Sequence, residues 1–249
     1  EGTRTYTKLG EIFYIYGNDY DSSNKLMTDN TNYLNSTKVI NRFISKLSDL
    51  QDYSKAEMHK NHEAATLRLK SYTWNFDIVP CFYTDANFYL IPDGLGNWKK
   101  TDPRIDNERT TNVNTRHNGK LLELIRLTKY WNNRKVTIKI GSYLLECMIL
   151  QRYENKSVSE TWWIDLEFRD LLKYLSSAIL SDIEDPKGIQ GNLNYFCWLD
   201  RYKISEALHN AYNKALEASK MEIKNKDQKS AITKWKEVLG NDFPDYTGD

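Results

Sequence analysis

Apolar and polar positions alternate in short runs over the first hundred residues, which predicts strands joined by polar loops. Residues 11–16, Glu-Ile-Phe-Tyr-Ile-Tyr, are β-branched and aromatic and stop at the turn signal Gly17-Asn18-Asp19. Residues 19–37 are rich in Asn, Ser and Asp and read as a loop or an insertion. From Lys38 the period changes: Val39, Phe43, Ile44 and Leu47 fall on one helical face. Residues 64–70 alternate again as a strand, and residues 74–82 (Trp-Asn-Phe-Asp-Ile-Val-Pro-Cys-Phe) predict another. A hairpin-like arm at residues 87–91 ends at the turn Pro92-Asp93-Gly94.

Beyond about Asp106 the pattern turns helical. Residues 119–131 set Leu121, Leu124, Ile125 and Thr128 on one face. Asp165 is a candidate cap for a helix carrying Leu171, Leu172, Leu175 and Ile179, and Asp200 for one carrying Ile204, Leu208, Ala211 and Ala215. A last helix holds Ala231, Trp235, Val238 and Leu239 and stops at Gly240 and Pro244. The expected fold class is α+β: a mixed sheet lobe over residues 1–106, a helical lobe over 107–249, and a cleft between them.

Composition narrows the class. A chain of 249 residues can bury a sizeable core, and its net charge of +1 argues against attachment to nucleic acid by bulk charge. Three cysteines (Cys81, Cys147, Cys197) without a CxxC pair do not make a disulfide framework, so a reducing cytoplasm is expected. No apolar run approaches the ~20 residues that span a bilayer, and no signal peptide is read at the start. The expectation is a soluble cytoplasmic protein.

Asp77 carries the strongest chemical signal. Alternation along residues 74–82 places Asp77 with Val79 and Cys81 on one face, and a buried carboxylate there needs a cation or hydrogen bonds. A metal ligand satisfies that need; so does a partly exposed edge strand or a salt bridge. Lys129 lies three residues after Arg126 on one helix flank, and Gly141-Ser142-Tyr143 follows a short polar loop. Lysine, serine and tyrosine suit phosphates and a base, while an ordinary solvated flank and helix start explain the same spacing. The four histidines (His59, His62, His117, His209) lack zinc spacing and are expected at the surface. There is no GxxxxGK[ST], GxGxxG or GxSxG, and the Lys-rich residues 214–229 alternate with acids as a solvated helix face does.

Taken in order, FDIVPCF (76–82), YLIPDGLGNWKKTDP (89–103), HNGKLLELIRLTKYWN (117–132), GSYLLE (141–146), DPKG (185–188) and AITKWKEVLGNDFP (231–244) resemble the bacterial cGAS/DncV-like nucleotidyltransferases. These are the cyclic-oligonucleotide synthases of antiphage signalling systems. The resemblance covers most of the chain from about Thr66 onward. It implies three sheet carboxylates holding two Mg²⁺ (or Mn²⁺), two in a D-x-D pair after a G-S loop and the third on a later strand. Asp77 matches the third. Lys129, Ser142 and Tyr143 match contacts to the donor triphosphate and base. The amino-terminal helix and the G-S dipeptide are absent, and at the D-x-D the chain reads Leu9-Gly10-Glu11. Glu11 therefore stands as the second metal-binding and catalytic carboxylate, beside Asp77, while Leu9 occupies the first position. Either the enzyme is degenerate or truncated, or residues are missing around Lys8 to Glu11.

The implied function is joining of ATP or other nucleoside triphosphates into a cyclic or short oligonucleotide second messenger, with release of pyrophosphate. The implied partners are those nucleotides and a regulatory protein of a defence operon, with neither a membrane nor stable nucleic-acid binding. The rival readings are a catalytically degenerate nucleotide-binding relative and an RNA-tailing nucleotidyltransferase.

Overall fold

The computed structural model describes residues 6–10, 12–15 and 33–248, apart from the side chain of Lys135. The chain divides into two compact units, Glu1–Pro103 and Arg104–Asp249.

The first unit holds two antiparallel sheets. One has the order β1 (Tyr6–Leu9), β2 (Ile12–Ile15), β8 (Trp98–Thr101), β7 (Tyr89–Pro92), β6 (Phe82–Tyr83). The other runs β3 (Glu57–Asn61), β4 (Ala64–Arg68), β5 (Asn75–Ile78). Helix α1 (Ser36–Ser48) packs on β3 and β4. Its core gathers Phe13, Ile15, Leu34, Val39, Phe88, Leu90 and Trp98. Trp98 is buried and its indole N–H donates to the Leu34 carbonyl at 2.7 Å, so this large ring enters the core without an orphaned donor.

The expected strand over residues 74–82 is two strands in different sheets. It stops at Ile78 and resumes at Phe82, with Pro80 between, where a ladder N–H is lost. Asp77, Val79 and Cys81 therefore do not share one strand face. The expected strand at residues 11–16 is β2, but Glu11 and Tyr16 lie outside the described residues, as does most of the predicted loop at 19–37.

The second unit is helical: α2 (Pro103–Arg116, begun on the last residue of the first unit), α3 (Leu121–Lys135), α4 (Ser142–Glu154), α5 (Ile164–Ala178), α6 (Trp198–Ile223) and α7 (Gln228–Leu239). Its core centres on α4, where Leu144, Leu145, Cys147, Met148, Ile149, Leu150 and Tyr153 are all buried. A helix apolar around its circumference is one surrounded by others. Leu171, Leu172 and Leu175 of α5, Ile204, Leu208 and Ala215 of α6, and Trp235 and Val238 of α7 complete it.

Two expected caps are corrected. The N-cap positions of α5 and α6 are Trp163 and Cys197; Asp165 and Asp200 sit in the first turns, where their charge complements the helix dipole without capping. The surface expectation also fails for His117, which is buried with a ring nitrogen 2.9 Å from the Tyr153 carbonyl; the other three histidines are exposed. All three cysteines are free. No described helix is long and apolar enough to cross a membrane.

The turn before β8 has a strict steric demand. Gly96 has φ +108°, its carbonyl accepts from Ser36 N at 2.9 Å, and a Cβ there would stand 3.0 Å from Asn35 Nδ2, on the residue that caps α1. Gly96→Ala is expected to destabilise the fold by roughly 1–3 kcal/mol, read as a lower melting temperature by calorimetry.

Candidate functional site

In the first unit, Asp77 lies on β5, an edge strand among the described residues, directly opposite Thr66 of β4. Thr66 is buried and its hydroxyl donates to Asp77 Oδ1 at 2.5 Å. The Asp77 side chain is exposed, so the cost of a buried carboxylate does not arise and gives no argument for a metal. What the geometry supplies is an oriented, solvent-facing carboxylate. Leu9 and Ile12 face each other across the β1–β2 hairpin, Gly10 has φ +60°, and Leu9 is 72% exposed. Glu11 falls outside the described residues.

In the second unit, Lys129 on α3 is half-buried and ion-paired with Glu146 of α4; Arg126 is exposed. Lys129 is thus a committed cation rather than a free flank residue. Ser142 opens α4 behind Gly141, and this helix start has no side-chain cap and no acidic residue in its first turn. Uncapped N–H groups with the positive end of the dipole make an anion-binding position. Ser142 and Tyr143 line a cavity of about 550 Å³ together with Gly141, Gln190, Tyr195 and Phe196. That volume accommodates a nucleotide-sized ligand. A second cavity, about 500 Å³ and bordered by Trp163, Ile223 and Trp235, contains none of the candidate metal- or nucleotide-binding residues Asp77, Glu11, Lys129, Ser142 and Tyr143.

Tyr143 is anchored from behind. Its hydroxyl lies 2.9 Å from Asp106 Oδ1 and 2.8 Å from Asp185 Oδ1, and Lys187 Nζ donates to its oxygen. One phenolic proton serves one carboxylate at a time; the other aspartate relies on its remaining donors. Asp185 has several, accepting backbone N–H groups from Lys187 (3.2 Å), Ile189 (3.1 Å) and Gln190 (3.0 Å). Burial, then the hydrogen bonds to Asp185 and Asp106, push the Tyr143 phenol far above its ordinary range, so it stays neutral.

Sequence reasoning missed Asp106, Asp185 and Lys187 as neighbours of Tyr143, and Gln190, Tyr195 and Phe196 as cavity walls. The DPKG run figures in the sequence only as part of the resemblance, and only the tertiary fold brings it to α4.

No protein-family profile matches the chain. A probable cyclic nucleotide synthase of Bacillus cereus (strain VD146) is 42% identical over 254 residues, covering 99% of this chain and 74% of that protein. The chain belongs to the cyclic nucleotide synthases, the cGAS/DncV-like nucleotidyltransferases. The cyclic AMP-AMP-AMP synthase of an Acinetobacter species is 28% identical over 202 residues, which cover 78% of this chain and 57% of that one. The crystal structure of Escherichia coli DncV with bound 3′-deoxy GTP superposes with a TM-score of 0.69 at 14% identity, over 92% of this chain and 61% of that one. The α+β nucleotidyltransferase fold expected from the sequence is the fold found. The chain spans less than two thirds of the last two proteins.

Burial raises the Asp185 carboxyl, but the Tyr143 hydroxyl, the backbone N–H groups of Lys187 and Gln190, and the Lys187 charge outweigh it and hold the group below the usual aspartate range. A carboxyl depressed in the folded state stabilises it fully above its unfolded pKa and stops doing so as pH falls through the folded one. The melting-temperature gap between wild type and Asp185→Asn is therefore expected to be largest near pH 7 and to shrink below about pH 4.

Proposed function

We propose that this protein joins nucleoside triphosphates, ATP among them, into a cyclic or short oligonucleotide second messenger of bacterial antiphage defence, releasing pyrophosphate. A ribose hydroxyl of one nucleotide attacks the α-phosphorus of another, and the bond to the β-phosphate oxygen breaks. The observation that carries the reading is the uncapped start of α4, with no acidic residue in its own first turn and with Ser142 and Tyr143 at the wall of a nucleotide-sized cavity. The identity with the Bacillus cereus synthase supports the reaction class, and the Acinetobacter synthase's name supports adenine nucleotides as substrates. Cytoplasmic location and a regulatory protein partner from the same operon complete the reading.

In this reading the N–H groups and hydroxyl of Ser142 hold phosphate oxygens, Lys129 supplies a positive charge, and Tyr143 offers its ring to the base. Among the described residues no three His, Cys, Asp or Glu side chains cluster as a metal site. Magnesium, however, commonly keeps several waters and binds through one or two carboxylates plus substrate phosphates. One exposed, oriented carboxylate at Asp77 fits an ion that arrives with the nucleotide. When bound, such an ion neutralises triphosphate charge and eases departure of pyrophosphate.

A second reading, a nucleotide-binding relative with slow turnover, is favoured by Leu9, which stands apolar and exposed at the position of the first expected carboxylate. The match to the Bacillus cereus protein runs over 254 positions against 249 residues here, so at least five of its positions have no counterpart in this chain.

Incubation with all four nucleoside triphosphates and Mg²⁺, followed by mass spectrometry, is expected to yield a cyclic or linear oligonucleotide, slowly for this literal sequence. Asp77→Asn should abolish the product while leaving the melting temperature unchanged, because Asp77 is exposed on an edge strand. Absence of any product from the wild type, with ATP still bound, would leave the second reading standing. Lys129→Ala is expected to weaken ATP binding by about 1–3 kcal/mol, measured by calorimetry. Unchanged affinity would reduce Lys129 to the partner of Glu146.

A further inference from the structure

The DPKG run, Asp185 to Gly188, has no part in the chemistry above, yet it carries a deeply buried charge. The Lys187 side chain is 4% exposed. Its ammonium donates to Asp106 Oδ2 at 2.8 Å and to the Tyr143 hydroxyl, and it stands 4.0 Å from the centroid of the Tyr143 ring. Its distance to Asp185 Oδ1 is longer, 3.7 Å. Asp185 instead shapes the loop: its backbone N–H bonds to the Gly191 carbonyl at 2.8 Å, and Gly188 and Gly191 both take φ +63°. One residue of the run folds the loop, and the other is delivered to the Tyr143 hydroxyl.

Taking an ammonium out of water costs several kcal/mol before pairing is counted, and an apolar side chain fills such a space at no such cost. Simple packing therefore does not call for a lysine. The buried charge converges on Tyr143, one wall of the cavity, whereas neither Lys187 nor Asp106 lines it. The ammonium holds the hydroxyl end of the tyrosine, so the ring that forms part of the cavity wall is anchored from its far end.

The geometry points to Lys187, with Asp106, as a positioning pair that grips the Tyr143 hydroxyl and so fixes the ring at the cavity wall to stack on the base of the bound nucleotide. This rests on the nucleotide-binding reading of the same cavity. The pair touches neither phosphate nor base. It acts through Tyr143, and its removal lowers affinity only while the ring is present.

The test is ATP binding with Mg²⁺, by calorimetry on the full chain. The proteins are the wild type, Asp106→Asn, Lys187→Met, Lys187→Arg, Tyr143→Leu and the double variant Tyr143→Leu/Lys187→Met. Lys187→Met and Asp106→Asn are expected to weaken binding about tenfold, the scale of one base stack. Lys187→Arg should recover most of the loss, and the double variant should bind no worse than Tyr143→Leu alone. Lys187→Met can fail to fold; Asp106→Asn, at a position about one third exposed, then carries the test. Folded variants that melt lower but bind ATP like the wild type would overturn the proposal, as would additive losses in the double variant. A wild type that binds no nucleotide overturns the functional reading and this inference together, whereas wild-type binding with indifferent variants overturns the inference alone.

Discussion

A lysine ammonium removed from water must be given acceptors where it lies, and Lys187 receives them from separate parts of the helical unit. Asp106 comes from the first turn of α2, the Tyr143 hydroxyl from the first turn of α4, and Asp185 from the loop that carries the lysine. None of the three can move far without leaving a charge unpaired in a dry place, which is costlier than losing the pair as a whole. The start of α4, and with it the N–H groups offered to an anion, is thereby fixed by electrostatics as well as by the apolar body of the helix. Helix α2 continues the same work along α4. Arg109 grips Glu154 through two hydrogen bonds of 2.6 and 2.9 Å, and Arg116 donates to the Glu154 and Lys156 carbonyls at 2.7 and 3.3 Å, where α4 ends. A cation at that end also complements the helix dipole.

This way of docking explains what was legible in the sequence and what was not. Helices α3, α5, α6 and α7 each bury one stripe, so Leu121, Leu124 and Ile125, or Leu171, Leu172 and Leu175, announce their faces by spacing alone. Helix α2 buries a single residue, Val113, and is held by Asp106, Arg109 and Arg116; a polar helix attached by ion pairs has no apolar period to read. Helix α4 fails at the other extreme, since a helix buried around its circumference shows apolar residues at every phase. Residues 74–82 read as one strand because each local stretch favours one, and only Pro80 hints that the chain changes sheets.

The candidate site divides in the same manner. Ser142 and Tyr143 were visible because a glycine before Ser-Tyr at a helix start is a local signal. Their supports were invisible because Asp106, Tyr143 and Lys187 are about forty residues apart in each step of the chain. Asp77 was singled out for a physical reason that the structure removes: an exposed carboxylate on an edge strand needs no compensating cation. The proposal that it holds a metal rests on family membership and on the orienting hydrogen bond from Thr66.

That weakness in the burial argument strengthens a different one. A carboxylate and a triphosphate repel each other, and a solvent-facing aspartate that took part in nucleotide binding unaided would oppose it. In the proposed reading Asp77 contributes only with a divalent ion between the charges, which is why that reading expects metal-dependent nucleotide binding. The charge of the helical unit is modest: Lys129 is already shared with Glu146, and Lys187 is spent at the Tyr143 hydroxyl between two aspartates. The helix start supplies a fraction of a charge and Lys129 part of one, so the proposed reading calls for a divalent ion as the main compensating charge.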